Sequence, residues 1–220
     1  MTTDPSLTTL LLVRHAETDD NVSMRLSGWT DTDLSARGEA QIEVLADHFN
    51  RVHGHVEGIY ASPLVRARRT AEAIGQLTGH TPILLDDLRE MYFGELDGRP
   101  FEELKEAYAH LLKADENSEI EDFVWPRGES RSSFTTRVLR VMNGIAAHHR
   151  SLSVAVVTHG GVIATLLTIL HGESPANWRK WVVPNASLTE VLWDPDEQRG
   201  ALLRHGDDAH LAALAAWEAT

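Results

Sequence analysis

Cysteine is absent from this 220-residue chain, and cations are scarce, since 20 Lys and Arg stand against 33 Asp and Glu. Without cysteine the chain cannot form disulfide scaffolds, iron–sulfur clusters, thiolate zinc sites or cysteine nucleophiles. The formal net charge of −13 repels nucleic acids and anionic membrane surfaces. We therefore expect no nucleic-acid partner and no membrane partner.

Long hydrophobic runs are also missing. The longest strongly apolar stretch, Gly161 to Leu170, is about half of the ~20 residues that span a bilayer. Met1 to Leu7 contains neither a basic segment nor an apolar core, which predicts no signal peptide. The length fits one domain with a sizeable core. These features predict a single cytoplasmic domain over residues 1–220.

Three short apolar runs predict buried strands, at Leu10–Val13, Ile59–Ala61 and Val154–Val157. Each run is continuously apolar, as a sheet covered on both faces requires. A helical pattern follows each run. This alternation predicts an α/β fold with a mostly parallel central sheet and helices on both faces.

Capping signals predict where two of these helices begin. Ser35 is suited to cap a helix that places Leu45 and Phe49 on its inner face. Ser62 and Pro63 predict the start of the next helix, as its N-cap and first residue.

Residues from about 91 to 131 interrupt the alternation and predict a small inserted cap. This segment contains a helical pattern near Phe101–Leu112 and the acidic run Asp115–Asp122. Farther along, Leu188–Trp193 and Ala201–Arg204 predict an edge hairpin.

Charged residues follow each of the three predicted strands. Arg14 and His15 follow the first, Arg66 lies in the first turns of the helix after the second, and His159 follows the third. Because parallel strands end at the same edge of a sheet, where α/β proteins bind ligands, we expect these four side chains to meet.

Two arginines and two histidines suit a dianionic phosphate group. Arginine offers paired planar donors, and helix N-termini add backbone N–H groups. A neutral imidazole can attack phosphorus directly. No cluster of carboxylates resembles a magnesium site, so the sequence predicts neither a metal nor a cofactor. Hydrolysis of phosphate monoesters needs up to ~10²¹-fold acceleration, so several of these contacts must converge.

Five separated motifs resemble, in order, those of the histidine phosphatase superfamily, whose best-known member is phosphoglycerate mutase. They read RHAETDDN from Arg14, RLSGWTDTDLSARGEAQ from Arg25, ASPLVRARRT from Ala61, LREMYFGELDG from Leu88 and THGGVI from Thr158. The stretch DDAHL from Asp207 looks like the phosphatase branch of that family.

The resemblance implies a role for five residues. His15 is implied to be the nucleophile that becomes phosphohistidine. Arg14 and Arg66 would hold the phosphoryl oxygens, and His159 would donate to them. Glu90 would protonate the leaving alkoxide and then deprotonate the hydrolytic water.

The resemblance also implies substrate-binding positions. Asn21 and Gly160 would complete the phosphate cradle, and Ser27 and Gly28 would contact the substrate beyond the phosphate. One departure is Ala16, where the family usually has glycine.

Other residues have simpler interpretations. Glu17 lies close to His15 in the sequence, but a structural role is favoured for it. The segment Leu202–Gly206 (LLRHG) is similar in sequence to the first motif, but no helical pattern follows it. We interpret it as the end of an edge strand. Four tryptophans are open to two interpretations, as the rim of a pocket or as core residues: Trp29, Trp125, Trp178 and Trp181.

The sequence therefore predicts a metal-independent phosphomonoesterase that acts on small phosphorylated metabolites. A phosphoglycerate mutase-type phosphotransferase is the first alternative, because the family contains both. The acidic run and the absence of a basic, Pro-rich insertion favour hydrolysis, since a mutase must retain a bisphosphate. A phospho-ligand binding protein without turnover is the second alternative, and a homodimer is an open one.

Overall fold

A six-stranded sheet forms the centre of the computed structural model, which describes residues 7–116 and 122–216. The strands are β1 (Thr8–Arg14), β2 (Ile59–Ala61), β3 (Ile83–Leu84), β4 (Ser153–Thr158), β5 (Leu188–Asp194) and β6 (Arg199–Asp207). Their order is β3-β2-β4-β1-β5-β6. The first four are parallel, and the β5–β6 hairpin joins β1 in antiparallel fashion. The predicted α/β fold with a mostly parallel sheet is confirmed.

Helices connect the strands. They are α1 (Asp19–Val22), α2 (Ala36–His53), α3 (Val65–Thr78), α4 (Phe101–Ala107), α5 (Ala109–Glu116), α6 (Arg131–His148) and α7 (Gly160–Leu170). Short 3-10 helices lie at Asp86–Leu88, Gly94–Leu96, Pro175–Trp181 and Ala209–Ala216. In this part of the chain, no helix is long and apolar enough to cross a membrane.

Strand β1 shows why its run is apolar at every position. Leu10 and Leu12 pack into a cluster with residues of α6 and α7 on one face of the sheet. Leu11 and Val13 pack into a second cluster with residues of α2 and α3 on the other face. Helices therefore cover both faces, as predicted.

Helix α2 begins where the sequence predicts. The Ser35 hydroxyl accepts a hydrogen bond from the Gly38 backbone N–H at 3.0 Å and donates one to the Glu17 carboxylate at 2.7 Å. A Cβ atom at Gly38 would lie 2.0 Å from the Glu17 carbonyl oxygen, so this close approach requires glycine. Glu17 therefore has the structural role that was favoured for it.

The predicted start of helix α3 is wrong by two residues. The helix begins at Val65 after an N-cap at Leu64, which makes no side-chain capping bond. The Ser62 hydroxyl lies 2.8 Å from a ring nitrogen of His159. The Ser62 side chain therefore contacts His159, the N-cap residue of α7, instead of capping α3. Pro63 lies before helix α3.

The segment between β3 and α6 differs in detail from the prediction. The single helix expected near Phe101–Leu112 is two helices, α4 and α5, because the backbone leaves the helical conformation at Tyr108 (φ −129°, ψ 27°). This segment has its own apolar cluster, which comprises Leu96, Leu104, Leu112, Phe123 and Trp125. Most of the acidic run lies outside the described residues, in 117–121.

Candidate active site

The parallel pairing of β1 with β4 brings together the residues that follow the two strands. Arg14 is paired with Thr158, and the His15 backbone N–H donates to the Thr158 carbonyl at 2.9 Å. The rings of His15 and His159 lie 5.1 Å apart between centroids. Strand β2 pairs with the other side of β4, which brings Arg66 in α3 to the same edge.

His15 is buried and held in one tautomer. Its Nδ1 lies 2.7 Å from the Ala16 carbonyl oxygen, which can only accept, so Nδ1 carries the proton and Nε2 has the lone pair. Burial lowers the pKa of His15 well below its usual value, and the charges of Arg66 and Arg14 lower it further. A neutral imidazole with its lone pair on Nε2 has the form that a nucleophile requires. Ala16 takes part through its backbone carbonyl.

His159 is fully buried beside it, and both of its ring nitrogens have protein partners. Nδ1 accepts from Nε of Arg66 at 3.3 Å, and Nε2 lies 2.8 Å from the Ser62 hydroxyl. Burial, followed by the charges of Arg66, His15 and Arg14, lowers the pKa of His159 well below its usual value. Because Nδ1 accepts from Arg66, the neutral ring carries its proton on Nε2, which donates to the Ser62 hydroxyl; the hydroxyl can also donate, so it could pair with the opposite tautomer. An oxygen that accepts from Nδ1 has to displace Arg66 Nε.

Arg14 directs part of its guanidinium towards the protein. Its Nη1 donates to the Val183 carbonyl at 2.6 Å. Its Nε is buried and, among the described residues, has no hydrogen-bond partner. Burial lowers the pKa of Arg14, whereas the Glu90 carboxylate raises it. A buried cationic donor without a partner is suited to an anionic ligand.

Arg66 is 1% exposed and is held by a loop. Its Nη2 donates to the Gly28 carbonyl at 2.7 Å, and its Nη1 donates to the Thr30 carbonyl at 2.9 Å. Asp97 fixes this loop, because its carboxylate accepts from the backbone N–H groups of Gly28 at 2.8 Å and Trp29 at 2.7 Å. Asp97 lies in the fourth motif, but no signal in the sequence predicts that it holds this loop.

Glu90 lies at the N-terminus of α7. One carboxylate oxygen accepts from the Met91 N–H and the other from the Gly161 N–H, both at 2.9 Å. A Cβ atom at Gly161 would lie 2.3 Å from the first of these oxygens, so the carboxylate can occupy this position only because residue 161 has no side chain. The charge of Glu90 acts on both Arg14 and Arg66, which places it at the same site.

Arg137 in α6 holds the backbone on which Glu90 lies. It donates to the carbonyls of Asp87 at 2.9 Å, Arg89 at 2.8 Å and Glu90 at 3.2 Å. It also forms a two-point ion pair with Glu129, at 2.9 and 2.6 Å. Nothing in the sequence pattern around Arg137 predicted this role, because its partners lie in other segments.

Asn21 belongs to a capping box at the start of α1. Its Oδ1 accepts from the Thr18 N–H and from Nδ2 of Asn185, both at 3.1 Å. Asn185 also donates to the His15 carbonyl, at 3.1 Å. The Nδ2 group of Asn21, which is the part suited to an anion, takes no part in these contacts.

The other predicted substrate-binding residues lie close to the cradle. Ser27 donates its hydroxyl proton to Asp20, and Gly28 supports Arg66 through its carbonyl. Gly160 is the first residue of α7, and a Cβ atom there would lie 3.4 Å from Cζ of Arg14.

The remaining sequence candidates lie elsewhere. Leu202–Gly206 belongs to β6 at the edge of the sheet, as predicted. Over residues 7–116 and 122–216, no group of three or more His, Asp or Glu could hold a metal ion. Trp29 donates from its indole N–H to the Glu90 carbonyl at 2.9 Å. Trp125 and Trp178 line a cavity of about 290 Å³ beside Glu90.

Comparisons with known proteins agree on the family. The model of the histidine phosphatase superfamily (branch 1) matches residues 10–208. The chain is 32% identical over 209 residues to an uncharacterized phosphatase, PhoE, of Bacillus subtilis (strain 168), which covers 94% of this chain and 99% of the relative.

Solved structures give the same result. The mycobacterial glucosyl-3-phosphoglycerate phosphatase is 28% identical with a TM-score of 0.80, covering 92% of this chain and 100% of its own. A phosphoserine phosphatase variant from Entamoeba histolytica, in complex with phosphoserine, is 26% identical with a TM-score of 0.80. The match covers 93% of this chain and 99% of that protein. The protein therefore belongs to branch 1 of the histidine phosphatase superfamily, and the prediction that it is a phosphatase is confirmed.

Proposed function

We propose that this phosphatase hydrolyses small phosphomonoesters through a phosphohistidine on His15, with Glu90 as general acid and base and without a metal ion. The observation that carries the proposal is the state of His15. Its Nδ1 is bonded to a carbonyl and its Nε2 has a lone pair. Arg14 and Arg66 keep the ring neutral and supply the charge that a phosphoryl group requires.

In the first step, Nε2 of His15 attacks phosphorus, and the bond from phosphorus to the ester oxygen breaks. Glu90, which is a carboxylate in the free site, first takes the proton that the phosphate monoester monoanion carries and then gives it to the leaving oxygen, so an alcohol departs. The two backbone N–H groups on Glu90 fix its direction, and each carboxyl oxygen retains a second position for the substrate. A positioned acid of this kind contributes about 10²–10⁴-fold.

In the second step, water attacks the phosphoryl group and the N–P bond breaks. Glu90 accepts the proton from the water, inorganic phosphate leaves, and neutral His15 is restored with its proton still on Nδ1. Glu90 then returns this proton to the departing phosphate and so ends the cycle as a carboxylate, as it began.

The cations stabilise the charge that develops on the phosphoryl oxygens in both steps. Nε of Arg14 and the guanidinium donors of Arg66 that the Gly28 and Thr30 carbonyls do not use are available for this purpose. Charged hydrogen bonds contribute roughly 1.5–3 kcal/mol each, so several are needed. His159 can donate to a phosphoryl oxygen from Nδ1 once its proton has moved there from Nε2, the Ser62 hydroxyl donates to Nε2 in exchange, and the oxygen replaces Arg66 Nε.

Hydrolysis is preferred to the two alternatives. A pure binding protein requires neither a nucleophile nor a proton donor, yet this site has both. The named relatives include phosphatases for phosphoserine and for glucosyl-3-phosphoglycerate, which supports small phosphorylated metabolites as the substrate class. Isomerisation of 3-phosphoglycerate after priming with 2,3-bisphosphoglycerate is the result that would favour the mutase alternative.

Phosphate release from a panel of phosphomonoesters, measured in EDTA, tests the proposal. We expect release by the native protein and a loss of at least about 10⁴-fold in His15→Ala. Equal release by the two proteins would exclude His15 as the nucleophile. Activity that disappears in EDTA and returns with added metal would exclude the metal-free mechanism. The cytoplasmic location and the homodimer stay predictions.

A further inference from the structure

Glu90, which is proposed to protonate the leaving oxygen, is one of the residues that line the cavity of about 290 Å³. Glu90 and Gly161 form part of its wall, and the inserted segment and the Pro175–Trp181 helix form other parts. Its volume is at the small end of ligand pockets, which occupy roughly 300–1,000 Å³. An ester whose bridging oxygen meets Glu90 therefore has its leaving group directed towards this cavity.

Aromatic rings dominate the wall of the cavity. The rings belong to Phe93, Phe101, Phe123, Trp125, Phe134 and Trp178. They come from the inserted segment, from α6 and from the Pro175–Trp181 helix, so the fold assembles them from distant parts of the chain. Trp125 makes edge-to-face contacts with Phe93 at 5.4 Å and with Phe123 at 4.9 Å. This is the geometry in which proteins pack aromatic rings.

The cations in the wall also lie against aromatic faces. The Arg131 guanidinium is 5.7 Å from the centroid of Phe123, and that of Arg179 is 4.6 Å from the centroid of Trp178. A sugar hydroxyl placed among these rings would lose its hydrogen bonds to water. An aromatic ring would instead gain burial and ring contacts.

We propose that the preferred substrates are phosphomonoesters whose leaving alcohol carries an aromatic ring. The inference rests on the proposed function, because the phosphoryl group occupies the cradle of His15 while the ring occupies the cavity. It narrows the substrate class from small phosphorylated metabolites to those with an aromatic leaving group.

Two esters with the same leaving oxygen test this directly. 3-Phenylpropyl phosphate and n-propyl phosphate both release a primary alcohol and differ by the ring. We expect kcat/KM to be at least about tenfold higher for the phenylpropyl ester, which corresponds to ~1.4 kcal/mol. Equal kcat/KM values, with both reactions dependent on His15, would overturn the inference and leave the proposed function intact.

A second pair keeps the inference testable if neither ester is hydrolysed, which would be a failure of the proposed function. 3-Phenylpropylphosphonate and n-propylphosphonate carry the same groups but cannot be hydrolysed at phosphorus. Calorimetry should give a Kd about tenfold lower for the phenyl compound. Equal Kd values would overturn the inference on their own.

Variants in two walls of the cavity locate the effect. Trp178→Ala removes a ring contributed by the Pro175–Trp181 helix, and Phe101→Leu removes one from the inserted segment but retains apolar bulk. Each should lower the ratio of the two kcat/KM values at least threefold. Trp181→Ala is the matched control, because Trp181 ends the same helix but stacks on His171 at 3.9 Å, outside the cavity wall. If both test variants retain the ratio of Trp181→Ala, the ring does not bind in this cavity.

Discussion

The phosphate end and the leaving-group end of the site differ in chemistry and in origin. The phosphate end consists of buried cations and imidazoles at the ends of β1 and β4 and in the first turn of α3. The leaving-group end consists of aromatic rings, most of them from the segment between β3 and α6 and from α6 itself. We propose that charge at the sheet edge determines the reaction and that apolar surface on the inserted segment determines which alcohol leaves.

Glu90 is the point where the two ends meet. Its carboxylate lies between the N-terminus of α7 and the cavity. Arg137 and Trp29 both donate hydrogen bonds to its backbone carbonyl. A change at one end that does not move Glu90 should therefore leave the other end intact.

Among variants that retain His15 and Glu90, the largest effect is expected at the phosphate end, from Arg66→Met. It removes a buried charge that also holds the Gly28–Thr30 loop, so kcat/KM should fall by about 10³-fold or more. The inhibition constant of inorganic phosphate should rise in parallel. Arg69→Met in the same helix is the control, because Arg69 makes its ion pairs with Asp33 and Glu39 at the surface, and such pairs contribute little. Equal losses in the two variants would contradict the assigned role.

Glu90→Gln should separate the two steps of the reaction. For n-propyl phosphate we expect kcat to fall by about 10²–10⁴-fold, because the alkoxide needs a proton. With p-nitrophenyl phosphate the first turnover should remain fast, since nitrophenolate leaves without a proton, and a burst should precede a slow steady state. Stopped-flow absorbance measures both phases. A uniform loss for both esters, without a burst, would assign Glu90 to binding.

Much of the phosphate end was predictable from the sequence, and the reason lies in its local signals. Leu10–Val13 and Val154–Val157 are short apolar runs that end directly before Arg14 and, with one residue between, before His159. The strands and their charged ends can therefore be identified together. The same approach failed at Ser62, because an N-cap signal in the sequence cannot show that its hydroxyl bonds to His159, 97 positions away.

The supporting contacts and the cavity were beyond sequence reasoning. Asp97 holds the Gly28–Thr30 loop across 69 positions, and Arg137 holds Glu90 across 47. Strand β3 has two exposed residues and thus lacks the buried apolar run that identified the others. The sequence could not decide whether Trp125 and Trp178 rim a pocket or pack in the core. Only the folded chain shows that both line the cavity.

Gly161→Ala should alter catalysis with little change in stability. The added methyl group meets the flexible end of the Glu90 side chain at 2.3 Å, so the carboxylate moves and the helix remains. A displacement of about 1 Å can cost ~10²-fold, so we expect kcat for n-propyl phosphate to fall by that order. Gly160→Ala should lose less, because its methyl group would meet Arg14 at 3.4 Å. Thermal unfolding of both variants near the native Tm, together with equal activities, would contradict this account.

The smallest effect concerns pH. Burial and the charges of Arg66 and Arg14 lower the pKa of His15 well below its usual value of about 6.5. The imidazole should therefore remain neutral as the pH falls past 6.5. The acidic limb of kcat/KM that belongs to His15 in the free enzyme should therefore lie below pH 6.5, and the His15 resonances in NMR should not titrate above it. Protonation of His15 at or above pH 6.5 would contradict the assigned environment.

The same burial should weaken folding in acid. The unfolded imidazole binds a proton at about pH 6.5, whereas the folded site does not, so the free energy of unfolding should decrease as the pH falls below that value. Chemical denaturation at pH 7.5 and 5.5 measures the difference, and His15→Ala should reduce it.

The central claim is that the phosphoryl group passes through His15, and rapid quenching of a single turnover tests it most directly. With 3-phenylpropyl phosphate labelled at phosphorus, an acid-labile and base-stable adduct should appear on the peptide that contains His15, at a rate no lower than kcat. It should be absent from His15→Ala. Full turnover without that adduct, or with the label on another residue, would contradict the account.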